Sequence, residues 1–301
     1  MNRREMVLGM GGVAAFAMLD LGSAQARATN SFSDRSFAEE IRRIERVSGG
    51  RLGVAVHDTH GGSRFQQRGG ERFPMCSTFK FLLSAAVLHA ADGKRLRMGQ
   101  TLPVRRSDIV SHSPITEKQV GRTMTLAQLC HATMTESDNG AANLLLPLVG
   151  GTAGVTRFVR SLGDPLTRLD RMEPQLNQAT PGDPRDTTSP QAMLHCLQTL
   201  TLGRVLTPAA RTTLTGWMLA NRTGDTRLRA GVPRDWRVAD KTGAGAYGSN
   251  NDIALLWPKG RRPILVTSYL TESKADDATL AATHARVARA VAAVVSNAAP
   301  A

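Results

Sequence analysis

Aromatic side chains are scarce in this sequence, 4% of 301 residues, with only three tryptophans and two tyrosines. Clustered cations are missing too: the 38 basic residues comprise six lysines and 32 arginines spread along the chain, with no run of five. Nucleic-acid binders combine basic clusters with aromatic platforms for the bases, so the shortage of both argues against a nucleic-acid partner despite a net charge of +13. The charge reads instead as a solvated arginine surface that favours small anionic substrates or anionic surfaces. Cysteine is nearly absent. Cys76, Cys130 and Cys196 make an odd count without metal-ligand spacing, which implies no disulfide framework and gives no reason to expect a metal. Cys130 and Cys196 sit among apolar neighbours and are expected to be buried free thiols. There is no internal repeat, low-complexity tract or cofactor motif.

The longest apolar run, Met6 to about Leu21, is too short to span a bilayer comfortably. It follows Met1-Asn2-Arg3-Arg4-Glu5 and precedes Gly22-Ser23-Ala24-Gln25-Ala26, which is a cationic n-region, an h-region and an Ala-x-Ala cleavage site. Residues 1–26 are therefore expected to be an export signal, with Arg3-Arg4 hinting at the twin-arginine route. The mature protein would be periplasmic, monomeric and without a stable membrane anchor. Cleavage removes two charges of each sign, so the net charge of +13 survives. About 275 residues remain, enough for one large domain with a substantial core.

Ser36-Phe37-Ala38-Glu39 reads as a capping box for a helix with Ile41, Ile44 and Val47 on one face, up to Gly49-Gly50. Arg51 to Asp58 and Ser63 to Arg68, separated by Gly61-Gly62, predict a β-hairpin. Helical signals fill the middle of the chain. An apolar helix runs from Ser77 to Asp92-Gly93, Thr125 to Gln128 is a capping box, Thr152 to Leu162 has helical periodicity, and Ser189-Pro190 and Thr207-Pro208 open two more helices. Strands return at Trp236 to Thr242, Asn251 to Trp257 and Ile264 to Leu270, before a final alanine-rich helix from about Asp276 to Asn297. Strands at both ends with helices between predict an α+β fold: an antiparallel sheet flanked by terminal helices, with an all-helical lobe inserted. The α/β lobe would comprise about 30–75 and 225–301, and the helical lobe about 76–224.

Four short constellations carry chemistry. In Ser77-Thr78-Phe79-Lys80 a hydroxyl and an amine stand three residues apart on a helix, close enough to meet. A serine needs such a neighbour to take its proton, and burial can lower a lysine's pKa enough for the task. Ser137-Asp138-Asn139 could aim a hydroxyl and an amide into a cleft, or simply cap the next helix. Lys241-Thr242-Gly243, at a strand end, offers a cation, a hydroxyl and open backbone to a substrate, or is an ordinary strand and turn. Arg168 to Thr188 is a long proline- and glycine-bearing segment without periodicity; it is either a solvated surface loop or a functional one. Within it Glu173 and Asn177 are spaced to share one water, and Arg171 and Asp186 could pair across the neck.

Together, in this order and spacing, Ser77-x-x-Lys80, Ser137-Asp138-Asn139, Glu173-x-x-x-Asn177 and Lys241-Thr242-Gly243 resemble the class A serine β-lactamases. The resemblance covers nearly all of the mature chain. It includes Thr135-Glu136, Arg185-Asp186-Thr187-Thr188, and Tyr247-Gly248 with Asn251-Asp252. It implies a β-lactamase/penicillin-binding transpeptidase-like fold and hydrolysis of penicillins and cephalosporins through a serine acyl-enzyme, without metal or cofactor. Ser77 would be the nucleophile, with the Ser77 and Ala244 amides as oxyanion hole. Glu173 with Asn177 would hold and activate the hydrolytic water, and either Lys80 or Glu173 would take the serine proton. Ser137 would relay a proton to the leaving nitrogen, Lys241, Thr242 and Ser137 would bind the substrate carboxylate, Gly243 would leave the strand edge open, and Asn139 would order the cleft.

The sequence departs from the family pattern at three places. His112 stands where an aromatic wall residue is usual. Asn250 occupies the position of a substrate-binding arginine, and Arg227 matches the place from which other members supply one. Cys76 precedes the nucleophile as in carbapenem-hydrolysing members, but its partner position is Gly245, so an unpaired buried thiol is expected. The rival readings are a penicillin-binding DD-peptidase, opposed by Glu173 with Asn177, and a non-catalytic penicillin-sensing module, which would normally bring a membrane helix and a signalling domain.

Overall fold

A computed structural model describes residues 31–298. The expected export signal lies outside the described residues. The first helix, α1 (Arg35–Ser48), leads into a hairpin, β1 (Arg51–Asp58) and β2 (Arg64–Gln67), and the short β3 (Phe73–Pro74). A long middle follows, with α2 (Phe79–Asp92), the ribbon β4 (Thr101–Pro103) and β5 (Thr123–Thr125), α3 (Leu126–Thr135), α4 (Asn139–Leu145) and α5 (Gly151–Ser161). The chain then forms β6 (Thr187–Thr188), α6 (Pro190–Thr201), α7 (Pro208–Leu219), the strands β7 (Arg237–Gly245), β8 (Ser249–Trp257) and β9 (Ile264–Thr271), and finally α8 (Asp277–Ala298). Five strands form one sheet in the order β2-β1-β9-β8-β7, every pair antiparallel. The ends of the chain thus build the sheet and the middle supplies the helices, as the element order predicted.

The two faces of the sheet follow the strand period of two. Along β8, Ala254 and Leu256 pack with Ile41 and Ile44 of α1 and with Val287 and Val291 of α8. The alternate residues Ile253 and Leu255 join the larger core with Met193 and Leu197 of α6 and Leu214 of α7. That larger core surrounds α2, in which every residue from Phe79 to Leu88 is buried. A helix apolar all round belongs in the middle of a bundle, and each fully buried leucine or phenylalanine contributes about 1.5–3 kcal/mol. The helix that follows Ser77 is therefore the fixed post of the helical region.

Caps fall where the sequence placed them at Thr125, Ser189 and Thr207, each accepting from the backbone amide three residues on. The first helix differs. It starts one residue before Ser36, with Asp34 at the N-cap position, and the Asp34 carboxylate accepts from the Ser31 amide at 2.8 Å instead of capping the helix. Val47 is 49% exposed and Ser48 is buried in its place, because Ser273 Oγ donates to the Ser48 carbonyl and draws the last turn against the end of the sheet.

Candidate active site

Ser77 lies in a 3-10 turn, Cys76–Thr78, directly before α2, not inside the helix. The turn continues into α2, so the three-residue spacing to Lys80 still works. Lys80 Nζ stands 2.9 Å from Ser77 Oγ. Cys76 enters the turn with a φ of +44°, and Ser137 sits at +56°. For non-glycine residues such conformations cost about 1–3 kcal/mol each and persist only where surrounding contacts enforce them. For Cys76 the contacts come from Asn251 on β8, whose Nδ2 donates to the carbonyls of Pro74 at 2.9 Å and Met75 at 3.1 Å.

Lys80 is fully buried and is the hub of the site. Beyond Ser77 it reaches Ser137 O at 2.6 Å, Asn139 Oδ1 at 2.5 Å, Ser137 Oγ at 3.3 Å and Glu173 Oε1 at 3.0 Å. A carbonyl, an amide oxygen and a carboxylate can only accept, and an ammonium has three protons to give them. That match describes a charged Lys80, with the Ser77 hydroxyl donating to Glu173 Oε1 at 3.4 Å. Burial pulls the Lys80 pKa down and Glu173 opposes the pull. Lys241 lies midway along β7, which runs on through Gly245, so the Lys241-Thr242-Gly243 stretch is inside the strand and not at its end. Lys241 is also fully buried, and burial followed by repulsion from Lys80 and Arg227 drives its pKa well below the usual lysine range. Its Nζ donates to Ser137 Oγ at 3.0 Å, so one hydroxyl bridges both lysines. An incoming carboxylate would restore the favourable balance at this cationic wall.

Asp138 shows that the two readings of its tripeptide coexist. One carboxylate oxygen caps α4 through the Ala141 amide at 2.8 Å, and the other accepts from Ile115 at 2.8 Å and Thr116 at 2.9 Å. Capping the helix thereby also fixes Ser137 and Asn139. His112 is exposed at the rim with a φ of +59°, and its Nε2 lies 3.0 Å from the Glu136 carbonyl. A carbonyl accepts only, so Nε2 carries the proton there.

The loop from Arg168 to Thr188 closes across Asp186, whose carboxylate accepts from Arg171 Nε at 2.6 Å and from the Asp170 and Arg171 amides at 2.7 and 2.9 Å. It delivers Glu173, buried with its side chain against Lys80. Asn177 Nδ2 donates directly to Glu173 Oε2, while its own Oδ1 is buried without a protein partner among the described residues and remains an available acceptor. Asn143 was not singled out from the sequence. Its side chain accepts from the Glu173 amide at 3.0 Å and donates to the Glu173 carbonyl at 2.8 Å, clamping the loop to α4. Its position four residues after Asn139, on the same helical face, was the signal.

Gly243 on the edge strand β7 lies against the Cys76–Thr78 turn: a Cβ there would fall 2.8 Å from Met75 O and 3.1 Å from Ser77 N. Ala244 follows at this junction, so the Ser77 and Ala244 amides belong to facing segments. Thr242 bonds its hydroxyl to that of Thr223. Arg227 Nη1 donates to Gly243 O at 2.9 Å and Asn251 O at 2.6 Å, gripping a rung of the β7–β8 ladder beside Lys241, and burial lowers its pKa. Cys76 is an unpaired buried thiol with its pKa pushed up to about 12, chiefly by burial. Its sulfur fills the space where a Gly245 Cβ would stand, 2.7 Å away.

Comparison with known proteins bears on the same architecture. The family described as "Beta-lactamase enzyme family" matches residues 36–295. The β-lactamase CTX-M-97 of Escherichia coli is 47% identical over 237 residues, 79% of this chain and 81% of that protein. β-Lactamase L2 of Stenotrophomonas maltophilia is 48% identical over 234 residues, 77% of each. Among solved structures, an ancestral class A β-lactamase (GNCA) superposes with a TM-score of 0.84 at 57% identity, covering 85% of this chain and 98% of that one. A β-lactamase from Xanthomonas campestris pv. campestris gives 0.85 at 51% identity, covering 86% and 97%.

Proposed function

The chain belongs to the class A serine β-lactamases and hydrolyses the β-lactam amide bond, conferring resistance, and from that premise we propose the role of each residue in the cleft. Ser77 Oγ attacks the lactam carbonyl carbon, and the developing oxyanion is held by the Ser77 and Ala244 amides. Glu173 takes the serine proton, as the donor count around a charged Lys80 favours. Ser137, hydrogen-bonded to both lysines, passes a proton to the departing nitrogen as the ring opens. Lys241, Thr242 and Ser137 bind the substrate carboxylate with Arg227 behind them, Asn139 orders the cleft, and His112 forms its rim. Glu173 then deprotonates a water held with Asn177, and that water hydrolyses the ester. We further infer a periplasmic monomer, supported by the leader-like first 26 residues and by a catalytic set drawn from one chain. Among the described residues no single helix is long and apolar enough to cross a membrane.

The observation that carries this mechanism is the Glu173 carboxylate, 3.4 Å from Ser77 Oγ and 3.0 Å from Lys80 Nζ. A penicillin-binding peptidase has no such base beside its ester. Replacing Glu173 with alanine removes the first of the groups that oppose burial at Lys80, so the Lys80 pKa falls further and Lys80 is the remaining group placed to take the Ser77 proton. Acylation continues, and deacylation loses about 10²–10⁴-fold. The expected record is one equivalent of product, then a nearly flat trace, with a long-lived penicilloyl adduct on Ser77 by mass spectrometry and none on Ser77→Ala. Full turnover by Glu173→Ala, or a stable adduct elsewhere, would refute these assignments.

A further inference from the structure

At the far end of the nucleophile's helix, a cavity of about 350 Å³ opens between the last turns of α2, the turn Leu146–Val149 and α5. Its titratable lining is His89, Arg95 and Arg157, and no carboxylate borders it. Among the described residues neither guanidinium belongs to an ion pair. The nearby Asp92 is engaged elsewhere, accepting from the Thr207 amide at 2.8 Å and hydroxyl at 2.9 Å. His89 Nδ1 is buried without a hydrogen-bond partner, an arrangement that is costly unless a ligand completes it. The imidazole lies 5.4 Å from the Phe158 ring, and Leu96 and Leu148 extend the apolar wall.

We propose that this cavity is a second ligand site, distinct from the catalytic cleft, for an oxyanion carried on a small apolar body, of which an aryl phosphate is the type. Arg95 and Arg157 engage the oxyanion, since planar guanidinium groups match phosphate and carboxylate oxygens in pairs. A turn of the His89 ring, whose Nδ1 is sealed from solvent as it stands, brings that nitrogen to donate to the oxyanion, and Leu96, Leu148 and Phe158 receive the apolar part. The volume lies at the lower end of the range of small-molecule cavities, which fits one ring and one charged group.

The test is an NMR titration of the whole protein with inorganic phosphate and with phenyl phosphate at fixed ionic strength. The readout is the His89 imidazole nitrogen signal, assigned with His89→Gln. Both probes should shift it saturably, phenyl phosphate more tightly. The exposed double change Arg95→Gln/Arg157→Gln should weaken binding by about tenfold or more while leaving β-lactam hydrolysis unchanged. No saturable shift with phenyl phosphate overturns the proposal, as does undiminished binding by the double variant, which would put the anion elsewhere. Phenyl phosphate binding no more tightly than phosphate would overturn the apolar half of the site.

Discussion

Replacing Arg171 with serine would cut the loop of residues 168–188 at its neck and leave the Asp186 carboxylate buried with only its two backbone donors. The bond lost is charge-assisted, 2.6 Å long, between a carboxylate 1% exposed and a guanidinium 16% exposed. Breaking a fully buried pair costs about 3–5 kcal/mol, and a hydrogen bond to a charged group is worth about 1.5–3. The partial exposure of Arg171 and the two donors that remain place the expected loss at about 2–4 kcal/mol. Because the loop makes its own local contacts, this appears as easier local opening and not as global unfolding. At about 1.4 kcal/mol per tenfold, amide exchange within residues 168–188 should accelerate roughly 30- to 700-fold. Hydrogen-exchange mass spectrometry reads that directly, and steady-state kinetics should show bulky cephalosporins gaining relative to small penicillins as the wall loosens. Unchanged exchange in this segment with unchanged kinetics would show that Arg171–Asp186 does not hold the loop.

Arg227→Ala should raise KM for carboxylate-bearing β-lactams, with a loss in kcat/KM of about 1.5–3 kcal/mol; the same change tested on a carboxylate-esterified analogue should cost little, and equal losses on both would rule out a role in binding the carboxylate. Gly245→Ala pushes a Cβ to 2.7 Å from Cys76 Sγ and 2.8 Å from Asn177 O, so overpacking should cost about 1–3 kcal/mol and displace the water-holding loop; an unaltered melting temperature and kcat would contradict that. His284 is buried, its Nε2 3.0 Å from the Asn250 carbonyl and its Nδ1 2.8 Å from Ser268 Oγ, with its pKa lowered to about 3 chiefly by burial. A neutral histidine held below its unfolded value contributes stability in full above pH 6.5, and that stability falls as pH drops toward about 3, by about 4–5 kcal/mol over the window. Urea midpoints across that range should fall more steeply for wild type than for His284→Gln, and parallel curves would refute it.

Much of the fold was legible because its signals are local. Thr125, Ser189 and Thr207 each bond an amide three residues on, and β8 alternates between two cores within its own span. The start of α1 was harder to read because Asp34 and Ser36 both suit a cap, and the Ser31 amide engages Asp34 before the helix can. Val47 fitted the apolar stripe, yet a hydroxyl from Ser273, over two hundred residues away, decided that Ser48 would turn inward. The site divides the same way. Ser77 and Lys80 meet by helical geometry, and Glu173 and Asn177 are four apart, so their types and spacing were visible. Asn143 shares a helical face with Asn139, but its clamp on Glu173, like the grip of Asn251 on Pro74 and Met75, joins segments far apart in sequence, and no local pattern names the partner.

The groups proposed to take up the antibiotic and the group proposed to release it have different mechanical supports. Ser77 sits in the turn that opens α2, Lys80 in α2 and Ser137 at the α3–α4 junction, all packed against the larger apolar core. Glu173 rides on a loop fastened by Asp186 at its neck, by Asn143 to α4 and by the Ala246 amide, just past β7, which donates to the Asn177 carbonyl at 2.9 Å. Each half-reaction therefore has its own thermal ceiling, and the one for release is lower. Warmed past the point where the loop lets go but short of the collapse of the core, the protein would keep capturing penicillin and stop setting it free, so heating would convert a destroyer of the drug into a sponge for it before unfolding it.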